Sequence, residues 1–311
     1  MIAIGNQHIL NILTIINLKT MIEIASLKSK NLSFYRTTHN FKNYGEVSTI
    51  DQFCEYYEWA KTNKTKIFLL GNGSNTLFVK KEVRTLVLKN NLPKETKILS
   101  KSQLEVSSSV LVIDILRYCY ENALDSFYYL ASVPATIGGA LAMNAGLGKR
   151  DKLSIYDFVE SVTFFDAADK SLKTLNKKEI VQGYRKTIFT GLTSKFILSA
   201  RFEFSPKKID GNPISDRRKW SKEFQDYSAY NCGSVFQESN YKIICKLKGL
   251  RIGNSSFSAK TPNWILNKSS SSMPILWLIK IAEVLHFLTF KKLIVELIKV
   301  CLLYTSPSPR D

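Results

Sequence analysis

Histidine is scarce in this chain, and paired cysteine motifs are absent. Only His8, His39 and His286 occur in 311 residues, and the five cysteines (Cys54, Cys119, Cys232, Cys245, Cys301) are odd in number and widely separated. No Cys-x-x-Cys pair and no Cys/His spacing of a zinc site is present, so neither a disulfide framework nor a metal centre is expected. Such cysteine usage fits a reduced, cytosolic protein. A long uninterrupted apolar run is missing as well. Residues 9–18 are interrupted by Asn11 and Asn17 and preceded by no Lys or Arg, which makes a poor signal peptide and too short a membrane span. Residues 273–304 are apolar but carry Lys280, Glu283, Lys291, Lys292, Glu296 and Lys299. That pattern suits a buried amphipathic helix followed by a strand. Acidic residues are the last deficit, 26 against 44 basic ones, for a net charge of +18. A basic surplus favours anionic partners. Here it is scattered as Lys80-Lys81, Lys177-Lys178, Lys207-Lys208 and Lys291-Lys292, with Arg217-Arg218-Lys219 as the tightest cluster. A nucleic-acid surface concentrates its charge in one stripe or tail, so that partner is not expected.

What is present suffices for more than one core: 45% hydrophobic and 12% aromatic residues in a chain long enough for two domains. Met21 offers an alternative start, leaving residues 1–20 as a non-essential extension. Residues 301–311 break composition with Ser306-Pro307-Ser308-Pro309 and read as a non-native or disordered tail. Between them, Thr49 followed by Gln52 predicts a capping box opening a helix to about Lys61. Ile67-Phe68-Leu69-Leu70 predicts a strand, Gln103–Ser107 another, and residues 110–122 a helix with Ile113, Leu116 and Cys119 on one face. Residues 159–165 and Ser171–Leu175 are expected to pair as a hairpin, and Phe196, Leu198, Ala200, Phe202 and Phe204 alternate as a strand. The polar, basic stretch after Ser205-Pro206 marks a boundary between domains at 21–205 and 206–300. Strands and helices mix without regular alternation, so the fold class is α+β.

Two segments carry the chemistry. In Leu70-Gly71-Asn72-Gly73-Ser74-Asn75, glycines after a buried strand let backbone N–H groups turn toward an anion. An ordinary strand-to-loop turn is the alternative, and a Walker loop is excluded because no Gly-Lys-Ser/Thr follows. In Ser132-Val133-Pro134-Ala135-Thr136-Ile137-Gly138-Gly139-Ala140-Leu141-Ala142-Met143-Asn144-Ala145-Gly146, Gly and Ala are dense enough to oppose a plain core helix. Each helical Gly costs about 1 kcal/mol relative to Ala. Close backbone approach to a large ligand, or tight helix packing, gives a reason to accept that cost.

In this order and spacing the two segments resemble the pyrophosphate loop and the Gly-Gly-Ala…Met-Asn-Ala-Gly segment of UDP-N-acetylenolpyruvoylglucosamine reductases. The resemblance continues through Gly183-Tyr184-Arg185, Gly233-Ser234-Val235-Phe236 and Asn263-Trp264-Ile265-Leu266-Asn267, over residues 30–300. It implies the FAD-binding fold of the vanillyl-alcohol oxidase and p-cresol methylhydroxylase type, with a C-terminal α+β substrate domain. It implies FAD as cofactor, NADPH as hydride-donating co-substrate, and a UDP-linked enolpyruvyl amino sugar as substrate for a cytoplasmic monomer of peptidoglycan synthesis. Gly71, Asn72, Gly73, Ser74 and Asn75 would hold the FAD pyrophosphate, with Pro134, Gly138, Gly139, Ala140 and Asn144 completing the site. Hydride delivered to the vinyl ether leaves an enolate-like charge. Arg185 matches the arginine that stabilises it, Ser234 the proton donor, and Glu296 the assisting glutamate of a C-terminal strand. Tyr184 and Lys222, twelve residues before Ser234, match substrate-binding positions. The short stretch from Arg185 to Ser234 indicates the shorter family type, without the extra tyrosine loop. Gln237-Glu238-Ser239 departs from the family's Lys-Asn-Pro, putting a carboxylate where an amide faces the anionic substrate. Ser132-Val133-Pro134-Ala135 lacks the glycines of the usual Gly-Ile-Pro-Gly, and Thr261 replaces a common histidine. Another FAD-dependent oxidoreductase of the same fold, a sugar or alcohol oxidase, is the alternative, as is a flavin-binding remnant without turnover.

Overall fold

Leu86-Val87-Leu88 is wholly buried, and this apolar run forms the centre of a sheet. In the computed structural model, which describes residues 22–148 and 153–300, the strand Leu86–Asn90 lies between parallel neighbours His39–Val47 and Ile67–Leu70. Ala25–Ser29 adds an antiparallel edge and Glu82–Val83 a short parallel one. The predicted helix spans Ile50–Thr62. Thr49 Oγ1 accepts from Gln52 N, but the Gln52 side chain reaches back to Ser48 N at 2.8 Å, one residue beyond a standard box. Its apolar face, Phe53, Tyr56 and Ala60, packs on Val47, Ile67, Leu86 and Leu88. A Cβ at Gly45 would lie 2.5 Å from the Tyr56 hydroxyl, so the helix rests directly on bare backbone there.

Phe53 also reaches the second sheet, its ring centroid 4.9 Å from that of Phe196. This sheet is antiparallel, ordered Ser171–Leu175, Val159–Asp166, Lys195–Glu203, Gln103–Ser107 and Thr96–Ile98. The expected hairpin is present with Phe165 opposite Leu172. The helix expected over 110–122 begins later, at Val112–Glu121. Leu111 is held extended by a bridge to Thr136, and Val112 N donates to Ala135 O at 3.0 Å. This pairing draws the start of the helix onto the glycine-rich segment.

After residue 205 the helix Pro213–Phe224 still contributes Ile214 to the core of the second sheet. Beyond it, a three-stranded sheet (Arg251–Ile252, Ser255–Phe257, Ile265–Asn267) and the helix Met273–Leu288 enclose a further core. Tyr35 and Leu77 belong to that core, so the N-terminal region is built into it. The expected final strand is broken in two. Ile294–Val295 pairs with Phe236–Glu238, and Ile298–Val300 runs parallel to Thr76–Phe78. Glu296 occupies the gap where the chain changes partner. Residues 1–20 and 301–311, read above as extension and tail, lie outside the described residues.

Asn267 is the polar pin of the C-terminal core and is fully buried. Its Nδ2 donates to the carbonyls of Tyr35 and Ser269, both at 2.7 Å, and its Oδ1 accepts from Ser255 Oγ and Ser269 N. Asn267→Ala strands the Tyr35 carbonyl and the Ser255 hydroxyl in the interior, where each unsatisfied group costs about 1–3 kcal/mol. We expect a loss of about 3 kcal/mol in urea denaturation; an unchanged midpoint would show that the amide holds nothing.

Candidate active site

The two glycine segments meet backbone to backbone. A Cβ on Gly71 would lie 2.8 Å from Thr136 Oγ1 and 3.7 Å from the Cα of Gly139. Gly138 is as constrained, since its Cβ would come within 2.9 Å of Ser108 Cβ. Asn72 Nδ2 closes the contact by donating to Pro134 O at 2.7 Å. Gly73 has φ +74°, and a Cβ there would stand 2.3 Å from Leu32 O, so only glycine fits. Among the described residues, no N–H of Asn72, Gly73, Ser74 or Asn75 donates to another group of the chain. Four successive free amides in a glycine-bent loop form the donor set of an anion-binding concavity, and this suits a pyrophosphate. The second segment is satisfied internally. Thr136 Oγ1 accepts from Gly139 N, and Gly138 N donates to Ser108 O. Ala140 points into the hydrophobic core, so its part in the wall is to be small. Gly139 meets only the Thr136 hydroxyl within 4 Å of where a Cβ would be, and Pro134 is exposed.

Asn144 and Arg185 both adopt left-handed backbone, φ 43° and 58°, a conformation that non-glycine residues hold only when their surroundings fix it. Those surroundings are mutual. Arg185 Nη1 donates to Asn144 O at 3.0 Å and Nη2 to Gly146 O at 2.7 Å, while Asn144 Nδ2 donates to Gly183 O at 3.0 Å. The guanidinium centre stands 4.9 Å from the Tyr184 ring centroid. Its Nε lies 3.2 Å from Glu296 Oε1, with both side chains mostly buried. The Nε–H makes no well-aligned hydrogen bond to that oxygen, so charge is the larger part of what holds the pair. Burial lifts the Glu296 carboxyl above its usual range, and the Arg185 charge opposes the lift without cancelling it.

Glu296 also ties the other parts together through its backbone. Its N donates to Val235 O at 2.8 Å, and its O accepts from Asn75 Nδ2 at 3.2 Å. Ser234, next to Val235, follows Gly233 at φ +72° and forms a single β-bridge with Trp264. Asn263 braces the same stretch by accepting from Phe236 N and donating to Phe236 O. Gln237 Nε2 donates to Tyr184 O at 3.0 Å. Asn75, Tyr184, Arg185, Ser234 and Glu296 are thus joined by direct contacts of themselves or their neighbours. Glu238 pairs with Lys292 at 3.2 Å, so the departure at 237–239 carries its own counter-charge. Lys222 stands exposed on Pro213–Phe224, its carbonyl accepting from Lys260 Nζ; the structure does not join it to the Arg185–Glu296 contacts. Lys89, Asn90, Ser108 and Thr136 support the glycine segments and were not singled out from the sequence. Thr136 carried a signal, as a capping residue before an apolar turn; the other three did not.

Replacing Arg185 by glutamine removes the charge that opposes the burial of Glu296. A carboxyl raised in the fold favours folding while neutral, so its contribution is full below the unfolded value of about 4.5 and is lost as pH rises through the folded one. Arg185→Gln is therefore expected to lose about 3 kcal/mol against wild type as pH rises from acid to neutral. Adding Glu296→Gln should abolish that pH dependence. Parallel pH–stability curves for the single and double variants would refute the coupling.

Comparison with known proteins agrees with this geometry. Residues 43–175 match the model of an FAD binding domain. The UDP-N-acetylenolpyruvoylglucosamine reductase of Aquifex aeolicus is 32% identical over 257 residues, 79% of this chain and 84% of the relative. That of Francisella tularensis is 32% identical over 68% of this chain and 77% of its own. The crystal structure of the same reductase from Thermus caldophilus superposes with a TM-score of 0.71 over 90% of this chain and all of the other, at 20% identity, and shares its fold. The α+β FAD-binding architecture expected from the sequence is the one found. Two glycine segments in contact, an arginine and a glutamate paired beside them, and identity sustained along most of both chains lead to one assignment: this chain belongs to the UDP-N-acetylenolpyruvoylglucosamine reductase family.

Proposed function

We propose that this protein is an FAD-dependent reductase that uses NADPH to convert UDP-N-acetylglucosamine enolpyruvate to UDP-N-acetylmuramate in peptidoglycan synthesis. The observation that carries this reading is the convergence of Arg185, Glu296 and the Ser234 strand on the loop of four free amides. Bound FAD supplies a two-electron carrier between NADPH and the vinyl ether. The amides of Asn72, Gly73, Ser74 and Asn75 hold its pyrophosphate; Gly71 permits the close approach, and Pro134, Gly138, Gly139, Ala140 and Asn144 form the opposing wall.

The chain's own task is to manage charge and one proton. When the methylene carbon of the substrate accepts hydride, negative charge develops on the carboxylate-bearing side. Arg185 is already fixed by two carbonyls and a carboxylate, so it stabilises that charge without reorganising. The Ser234 hydroxyl gives its proton to the carbon next to the carboxylate, completing reduction of the double bond. A serine is a weak acid and acts here because the enolate is a strong base. Glu296, its carboxyl raised by burial, is the group suited to hold a proton beside it. Tyr184 lines the substrate side, and Lys222 serves the diphosphate from the exposed face of its helix. We place the reaction in the cytoplasm, where UDP-linked sugars and NADPH are found. We read the protein as a monomer. No helix among the described residues is long and apolar enough to cross a membrane.

Anaerobic titration of the full chain tests the reading. Yellow protein is expected to bleach with NADPH and regain colour with the enolpyruvyl UDP-sugar. Ser234→Ala should bleach normally but recover about 10²–10⁴-fold more slowly. Bleached wild type that never recovers would remove the substrate from the proposal. Folded protein that takes up no FAD would overturn it entirely.

A further inference from the structure

The carbonyl of Gly71, where the phosphate loop begins, is engaged by a charged group for which the reductase reading has no role. Lys89 sits beside Leu70 in the parallel ladder, and its Nζ donates to Gly71 O. The ammonium is partly withdrawn from water; burial pulls its pKa below the usual lysine value, with Lys94 adding to the effect and Glu46 opposing it. Burying a cation is unfavourable unless a partner offsets the lost hydration. The Glu46 carboxylate, which also accepts from the Tyr44 hydroxyl at 2.9 Å and the Asn91 amide at 3.1 Å, offsets only part of that cost. The peptide group whose carbonyl Lys89 engages is the one that supplies the first of the four loop amides. The next residue along the strand acts in parallel. Asn90 Nδ2 donates to Ser108 Oγ at 2.8 Å, and Ser108 O accepts from Gly138 N at 2.8 Å. One strand end thereby steadies both glycine segments.

We propose that Lys89 is the fixed positive charge of the FAD pyrophosphate site, holding the loop by Gly71 O and attracting the diphosphate seated on the amides of residues 72–75. It is a positioning residue and touches no reacting atom. The inference rests on FAD being the cofactor and adds a specific electrostatic partner to it. Charge and strut make different predictions: glutamine keeps a donor for Gly71 O without the charge, whereas arginine keeps both.

The test uses full-length protein stripped of flavin, as wild type, Lys89→Arg and Lys89→Gln. FAD affinity is read from flavin fluorescence at low and high salt, and the flavin-free thermal midpoint is read alongside. Lys89→Gln is expected to bind FAD about 10- to 100-fold more weakly, as for loss of a hydrogen-bonded charge. Its log Kd should depend less steeply on log salt, and Lys89→Arg should stay within about threefold of wild type. FAD binding by Lys89→Gln equal to wild type overturns the proposal, since a neutral strut then suffices. Weakened binding with an unchanged salt slope also overturns it, marking a distorted loop instead of a lost charge. Wild type that binds no FAD is a separate failure, of the cofactor reading itself.

Discussion

The Arg185–Glu296 pair is the constraint on which the rest of the site depends. Two opposite charges placed mostly out of water are stable only while each keeps the other and its further hydrogen-bond partners. Arg185 spends both terminal nitrogens on carbonyls of the second glycine segment. Glu296 spends its backbone on the serine strand and on the side chain of Asn75 in the first. Removing either charge leaves the other exposed to the full cost of burial. The pair therefore joins segments that lie far apart in sequence: the phosphate loop, the asparagine-glycine wall, the serine strand and the chain's end. It explains why the last strand breaks. A continuous strand could not give its carbonyl to Asn75 and its N–H to Val235 while passing from the Phe236 ladder to the Thr76 ladder.

A second constraint comes from space. Gly71 and Gly139 approach so closely that a methyl group on the first would collide with the Thr136 hydroxyl. Thr136 in turn cannot move, because its hydroxyl caps the short helix that carries Gly138 and Gly139. Among the described residues the loop amides have no partner. Backbone donors that the chain itself does not engage are available to a ligand. This is a physical reason, independent of any resemblance, to seat a diphosphate there.

Local pattern made much of the fold legible. The Thr49 cap, the buried Ile67–Leu70 run and the Val159–Asp166 hairpin each follow from side chains within a few residues of one another, and each stands within a residue or two of where it was expected. Two elements differ because distant chain overrides local preference: the helix at Val112 is delayed by pairing with the glycine-rich segment, and the strand around Glu296 is divided between two partners. The ordered glycine, arginine and serine motifs pointed to the site because a ligand's needs are written in residue types. Lys89, Asn90 and Ser108 were invisible for the opposite reason. A lysine after three apolar residues looks like any strand end, and its meaning lies in the loop it meets across the sheet.

Net charge misdirects in the same way. A surplus of eighteen positive charges in a protein that binds phosphates invites the thought that the surplus does the binding. Most of those lysines face solvent, where water and salt screen them within about 10 Å and paired ones contribute little. Arg185 and Lys89 are different because the fold has taken them partly out of water and aimed them at backbone carbonyls of the two glycine segments. There a single charge acts through a medium far less polarisable than water, and its geometry is set before any ligand arrives. The Glu238–Lys292 pair shows the converse. This carboxylate has a partly exposed lysine of its own. Where a charge is held, and what holds it, decides what it can do.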